Sequence, residues 1–176
     1  MYLFTSERLG FRAWKQEDIG ELSAMNKDPD VMEFFPSTLS VADSQDLLNR
    51  LQAQYQENHF TFYAVELLQD QSFIGFIGLA RTSFEEDFTP CVEIGWRLKK
   101  SAWNCGYATE GALRCLDFAS HDLGIDGVYS FTPCVNFRSE KVMKKIGMKK
   151  VKEFRHPKIP PHHQLSNHVL YFVSLK

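Results

Sequence analysis

Three strand-patterned runs stand back to back in the middle of the chain, Phe60–Leu67, Phe73–Arg81 and Cys91–Leu98, and helix and strand patterns alternate after them. That order constrains the fold more than any other feature. The turn Gln69-Asp70-Gln71 between the first two runs predicts a hairpin, and therefore antiparallel pairing. The alternation that follows requires at least one crossover that returns the chain parallel to itself. A sheet built this way is mixed.

The flanking segments fill in the layers. Leu9, Phe11 and Ala13 alternate with polar neighbours as a first strand. Gln16-Glu17-Asp18 opens a helix with Ile19, Leu22 and Met25 on one face, and Asp28-Pro29 ends it. From Ser40 to Asn58, Leu47, Leu48, Leu51 and Tyr55 recur at helical spacing. After Leu98 come a helix from about Ala108 to His121, a strand Val128–Thr132, a short helix at about Ser139–Ile146 and a strand Met148–Phe154. A loop with Pro157, Pro160 and Pro161 precedes the last strand, His168–Leu175. The predicted class is α/β (α+β), one domain over residues 1–176. At this length about 70% of the unfolded surface is buried on folding, enough for a core without disulfides or metal.

Several function classes are excluded at this stage. A formal net charge of −2 argues against a strongly basic nucleic-acid binder. No run approaches 18 apolar residues and the N-terminus lacks a signal-peptide pattern, so a cytoplasmic protein off the membrane is expected. Cys91, Cys105, Cys115 and Cys134 form no C-x-x-C pair, and no His lies at zinc-finger spacing from them. His156, His162, His163 and His168 have no Cys or carboxylate in their segment to complete a ligand set, so no metal is expected.

The segment Leu98-Lys-Lys-Ser-Ala-Trp-Asn-Cys-Gly-Tyr-Ala-Thr-Glu-Gly111 is the most informative. A strand runs through a basic turn and a small-residue loop into a helix, an arrangement that gathers free N–H groups and a positive dipole end where a phosphate would bind. It is not a Walker loop, because no Gly-Lys-Ser/Thr follows. Gly106-x-Ala108-x-x-Gly111 is one substitution from a dinucleotide fingerprint, and Asp126 lies twenty residues on. That acid should end the following strand rather than precede it. An ordinary strand-to-helix turn is the remaining reading of this loop taken alone.

Three ordered motifs extend the context: Glu93-Ile-Gly-Trp-Arg-Leu98, Trp103-x-x-Gly-Tyr-Ala-Thr-Glu110, and Asn136-x-x-Ser139-x-x-Val142-Met-x-Lys-x-Gly147-Met148. Together they resemble the GNAT superfamily of acetyl-CoA-dependent N-acetyltransferases. Ser6-Glu-Arg-Leu9-x-Phe-Arg12 and Asp28-Pro-Asp-Val31 are similar to its ribosomal-protein N-terminal (alanine) acetyltransferase branch. The resemblance implies a mostly antiparallel central sheet, splayed at one parallel pair and flanked by helices. It implies acetyl-CoA as cosubstrate, its pantetheine bonded to main-chain groups of Trp96, Arg97 and Leu98. The pyrophosphate would lie on the N–H groups of Asn104, Cys105, Gly106, Tyr107, Ala108 and Thr109, beside Trp103. Asn136 would contact the pantetheine, or act only as an N-cap. Arg138 and the lysines of its helix would face the 3′-phosphate, or only solvent. The resemblance also allows a homodimer.

Acetyl transfer to an amine needs a base for the ammonium proton, oxyanion stabilisation, and a proton for the departing thiolate. Glu93, on the strand that would present the thioester, is the first candidate base; an ion pair with a basic neighbour is its plain alternative. A backbone N–H near Leu98 would polarise the thioester carbonyl. Many superfamily members carry Tyr where this chain has Met143, which leaves Ser139 as the candidate acid. Cys105 or Cys134 as an acetyl-carrying nucleophile is the competing mechanism. The expected acceptor is a primary amine, first a protein or peptide N-terminus, with a polyamine, amino acid or antibiotic as alternative. A non-catalytic acyl-CoA-binding module is the rival from another class. Phe34-Phe35-Pro36, the loop 154–164 and His168 are the expected acceptor walls.

Charge is unevenly spread. Residues 1–88 hold 6 Lys+Arg against 15 Asp+Glu, and residues 89–176 hold 14 against 7. The expectation is two opposed fields, a positive half for coenzyme A and an acidic half for a cationic acceptor, so that salt raises KM for both.

Overall fold

A computed structural model describes residues 1–176. Its elements in chain order are β1 (Phe4–Thr5), β2 (Leu9–Arg12), α1 (Ile19–Lys27), α2 (Val41–Asn58), β3 (Phe62–Leu67), β4 (Phe73–Thr82), β5 (Cys91–Leu98), α3 (Tyr107–His121), β6 (Gly127–Pro133), α4 (Phe137–Lys145), β7 (Lys149–Arg155) and β8 (Asn167–Ser174). The eight strands form one sheet in the order β1-β2-β3-β4-β5-β6-β8-β7. Every neighbouring pair is antiparallel except β5 with β6. The expected mixed α/β sheet with one parallel joint is the fold observed.

The helices cover opposite faces. On one face α3 and α4 pack over a core that includes Leu9, Phe11, Ile77, Leu79, Ile94, Cys115 and Met143. On the other, α1 and α2 bury Leu22, Met25, Leu48 and Leu51 against Trp14, Phe73 and Phe76. β4 serves both faces, and Phe73–Ala80 is buried without a break, as a strand covered on both sides must be. α3 comes especially close to the sheet at Gly111, where a Cβ would lie 2.4 Å from Ile77 Cδ1.

Local chemistry sets the helix ends. Ser40 caps α2 by accepting from the Asp43 N–H at 3.1 Å, while its own N–H donates to Asp43 Oδ2 at 2.9 Å. Asp28, extended before Pro29, ends α1 as the proline demands. Gln16–Asp18 is a 3-10 turn leading into α1, so the regular helix begins at Ile19. No helix is long and apolar enough to cross a membrane, and no group of three or more His, Cys, Asp or Glu is placed to hold a metal ion.

Candidate active site

The parallel joint is where the sheet opens. β5 and β6 share a single register pair, Glu93 with Tyr129, and the Ser130 hydroxyl donates to the Ile94 carbonyl at 2.9 Å just beyond it. From Gly95 to Leu98, β5 has no strand partner on its β6 side, although it stays paired with β4 as far as Leu98. Trp96 and Leu98 point to the α3 face, whereas Glu93, Gly95 and Arg97 alternate to the α1–α2 face. The Leu98 carbonyl accepts from the Trp103 indole N–H at 2.9 Å, which ties the end of the strand to the following loop.

At the foot of the gap lies the loop into α3. None of the N–H groups of Asn104, Cys105, Gly106, Tyr107, Ala108 and Thr109 donates to a protein acceptor; the helix ladder begins with Glu110 N–H to the Gly106 carbonyl at 3.0 Å. Asn104 (φ +61°) and Gly106 (φ +84°) adopt left-handed backbone, which turns successive N–H groups inward as an anion-binding nest. The helix dipole of α3 adds to it. This set of donors fits a pyrophosphate.

A clamp that sequence reasoning did not assign holds the nest in shape. Arg8 Nη1 donates to the Cys105 carbonyl at 3.1 Å, and its Nε donates to Glu110 Oε2 at 2.7 Å. Its guanidinium also lies 4.5 Å from the centre of the Tyr107 ring. Ser6 Oγ and the Arg8 N–H both donate to Glu110 Oε1, at 2.7 and 2.8 Å. Burial pushes the Glu110 carboxyl up, but these hydrogen bonds and the Arg8 charge outweigh it and hold it below its ordinary value. The motifs Ser6-Glu-Arg and Thr109-Glu110 were legible separately; their contact across about a hundred residues was not.

Glu93 is partly buried, and burial raises its carboxyl to about 7 against a Thr82 hydrogen bond and the charge of Lys158. Its plain alternative, a close ion pair, is not found, since Glu93 forms no salt bridge. His168 is driven down to about 4, first by burial and then by the neighbouring His156; burial and Lys158 lower His156 as well. Both shifts favour the neutral ring, and His168 is neutral near pH 7. The two rings join Phe84, Phe131 and Phe154 in one aromatic cluster, with the imidazoles 5.0 Å apart.

Across the gap, Asn136 caps α4: its Oδ1 accepts from the Ser139 N–H at 3.2 Å, and its Nδ2 donates to Thr132 Oγ1 at 2.9 Å. Ser139 is partly buried in the first turn of α4. Met143 is sunk into the α3–α4 core, only 1% exposed. Arg138 is drawn elsewhere: it pairs with Glu33 and stacks 4.3 Å from the centre of Trp103. The Cys134 thiol is raised by burial and by Glu153, the opposite of what a nucleophilic thiol needs.

The acidic first half meets the basic second half directly. Glu21 pairs with Lys99 at 2.5 Å, Asp30 with Lys100, and Glu33 with Arg138. The expected opposed fields are therefore partly spent on each other around the 21–33 segment.

A nest of free N–H groups below a parted parallel pair has the donors and the opening that a coenzyme A-dependent acyltransferase needs. The chain matches the model of the acetyltransferase (GNAT) domain over residues 8–149 and belongs to that family. An uncharacterized N-acetyltransferase of Bacillus subtilis (strain 168), YnaD, is 26% identical over 147 residues, covering 83% of this chain and 82% of that protein. The ribosomal-protein-S5-alanine acetyltransferase of Vibrio fischeri has the same fold, with a TM-score of 0.77 at 15% identity over 97% of this chain and 95% of that one. So does the spermidine N-acetyltransferase of Vibrio cholerae, in complex with CoA and spermine, with a TM-score of 0.75 at 16% identity over 95% of each chain. Acetyl-CoA is the cosubstrate of this family.

Proposed function

We propose that the chain acetylates a primary amine by direct attack on acetyl-CoA, with Glu93 as base. The observation that carries this reading is the position of Glu93 at the last register pair before β5 and β6 part, in surroundings that raise its carboxyl to about 7. A base with that value is half deprotonated at neutral pH and takes a proton from an ammonium, directly or through water. The free N–H groups of Asn104–Thr109 hold the pyrophosphate, and the main chain of Trp96, Arg97 and Leu98 lines the pantetheine. An N–H of this stretch polarises the thioester carbonyl. Ser139, in the first turn of α4, delivers the proton that the thiolate needs.

The acceptor favoured first is a protein or peptide N-terminus, and the second is a small amine. Relatives of this fold are named for an alanine of a ribosomal protein and for spermidine, so both classes have precedent in the family. Steady-state thiol release with a peptide panel beside polyamines and amino acids tests the order. Turnover confined to small amines overturns the peptide reading. Glu93→Gln and Ser139→Ala are expected to lower kcat far more than they weaken acetyl-CoA binding; equal losses would remove both residues from the chemistry.

A further inference from the structure

Arg97 is a partly buried cation without a countercharge, its Nε closed off from solvent. Its side chain turns to the α1–α2 face of β5, where Nη1 donates to Asn26 Oδ1 at 2.7 Å. Asn26 is fully buried and neutral, and its Nδ2 donates to Ser44 Oγ at 3.1 Å, so its oxygen is committed to the arginine. The guanidinium lies 4.1 Å from the centre of Phe35 and 5.1 Å from that of Phe76. Its Nε is buried and has no hydrogen-bond partner. No carboxylate pairs with it. The acids that border this face are taken by other cations: Glu21 by Lys99, Asp30 by Lys100, Glu33 by Arg138. Burial accordingly lowers the guanidinium to about 10, with no acid opposing the shift.

An uncompensated charge at such a place is costly, and a neutral side chain of the same length would fill the space without that penalty. The cost is recovered if an anion arrives with the substrate. With Nη1 on Asn26 and Nε enclosed without a partner, Nη2 is the donor of the guanidinium left for it, and an anion there also supplies the missing countercharge. Glu93 projects from the same face four residues earlier, about 13 Å along an extended strand.

We propose that Arg97 is a specificity residue that receives a carboxylate of the acceptor, so that the amine delivered to Glu93 belongs to a molecule that also carries an acid group. This rests on the acetyltransfer reading and narrows it. The substrate class becomes amino carboxylates, either free amino acids or peptides with an acid group near the N-terminus, and polyamines are excluded by like charge.

The test compares matched acceptors that differ only in charge. A series of ω-amino carboxylates, and short peptides with Asp or Glu at their second position, are each assayed beside their uncharged amides and beside spermidine. The wild type is expected to prefer the carboxylate over its amide on the order of a hundredfold in kcat/KM, a range typical of losing one partner of a buried charge pair. In Arg97→Gln that ratio is expected to collapse towards unity. Arg97→Lys, which keeps the charge but loses the fork, should fall between the two and guards against a folding defect in the first variant. Equal use of acids and amides by the wild type, or a ratio untouched in both variants, overturns the inference and leaves acetyltransfer standing. A rise in the acetyl-CoA Kd of Arg97→Gln with the acceptor ratio unchanged would assign Arg97 to the cofactor and overturn it too. Absence of thiol release with every amine would overturn the acetyltransfer reading itself.

Discussion

The Ser130 hydroxyl donates to the Ile94 carbonyl at 2.9 Å, and this bond is the last tie between β5 and β6 before the two strands part. Backbone pairing ends at Glu93 and Tyr129, so a side chain finishes what the ladder does not. Ser130 is 2% exposed, and its loss leaves a buried carbonyl with one partner fewer. Ser130→Ala is expected to cost about 1–2 kcal/mol of stability. That corresponds to a melting temperature lower by roughly 2–8 °C for a chain of this size. Acetyl-CoA, bound in the gap as proposed, should restore part of it. An unchanged melting curve would show that the joint is held by packing alone.

Glu93 makes a two-sided pH prediction. As a base it acts deprotonated, so kcat/KM should rise with pH up to about 7 and then follow only the acceptor amine. Glu93→Gln should lose the limb near 7. Stability runs the other way. The folded carboxyl holds its proton above the ordinary 4.5, so between about 4.5 and 7 the folded state binds more protons than the unfolded one, and stability falls as pH rises. By the free energy per pKa unit, Glu93→Gln should gain up to about 3 kcal/mol over wild type at pH 8, and little at pH 4. Urea titrations at the two pH values measure this. A variant less stable at pH 8 would mean that the carboxylate is structurally paired. His168, driven down to about 4, titrates too low to produce a limb near 7, and burial moves His156 in the same direction.

Much of this site was legible in the sequence, and the reason is locality. The run Cys91–Leu98 is β5 residue for residue, because alternation and its flanking turns are short-range signals. The nest was readable from Gly106 and the basic turn before it, since a strand-to-helix loop is one continuous piece of chain. β1 was missed: two residues carry no alternation. The placing of β8 between β6 and β7 is a long-range pairing, which no local pattern records. The Arg8–Glu110 clamp and the Arg97–Asn26 contact join residues 102 and 71 apart, and only the folded sheet brings them together. Arg97 is expected from the sequence to serve the cofactor through its main chain; its side chain turns to the opposite, α1–α2 face, which no local pattern records.

Gly106 needs φ +84°, where an L side chain is strained, although a Cβ there would meet only Arg8 Nη2 at an ordinary 3.5 Å. Gly106→Ala therefore costs backbone strain of about 1–2 kcal/mol with no clash. The loop is expected to relieve it by turning N–H groups out of the nest. Calorimetry should show acetyl-CoA binding weakened about tenfold, the binding equivalent of that strain. Arg8→Ala removes the outer support of the same loop and should raise the acetyl-CoA Kd while leaving kcat nearly unchanged. A loss in kcat alone would place Arg8 in the chemistry instead.

Arg138, the proposed partner of a cofactor phosphate, is already paired with Glu33, and this gives a salt prediction unlike the one the composition suggests. Glu33 pairs with it at the surface, where both side chains are about half exposed, and Trp103 stacks beneath the guanidinium. In the proposed cofactor site, a phosphate group would compete with Glu33 for that charge. Glu33→Gln frees Arg138, so the KM for acetyl-CoA should fall by a few fold at low ionic strength, the scale of an exposed pair. Because the Debye length shortens from about 30 Å at 0.01 M salt to about 3 Å at 1 M, the gain should vanish as salt is raised. The acceptor KM should move less, since the acids bordering its face are already paired with Lys99, Lys100 and Arg138. A higher acetyl-CoA KM in Glu33→Gln would show that the pair instead holds residues 28–36 in place for binding. An acceptor KM that climbs with salt as steeply as the cofactor's would restore two independent fields.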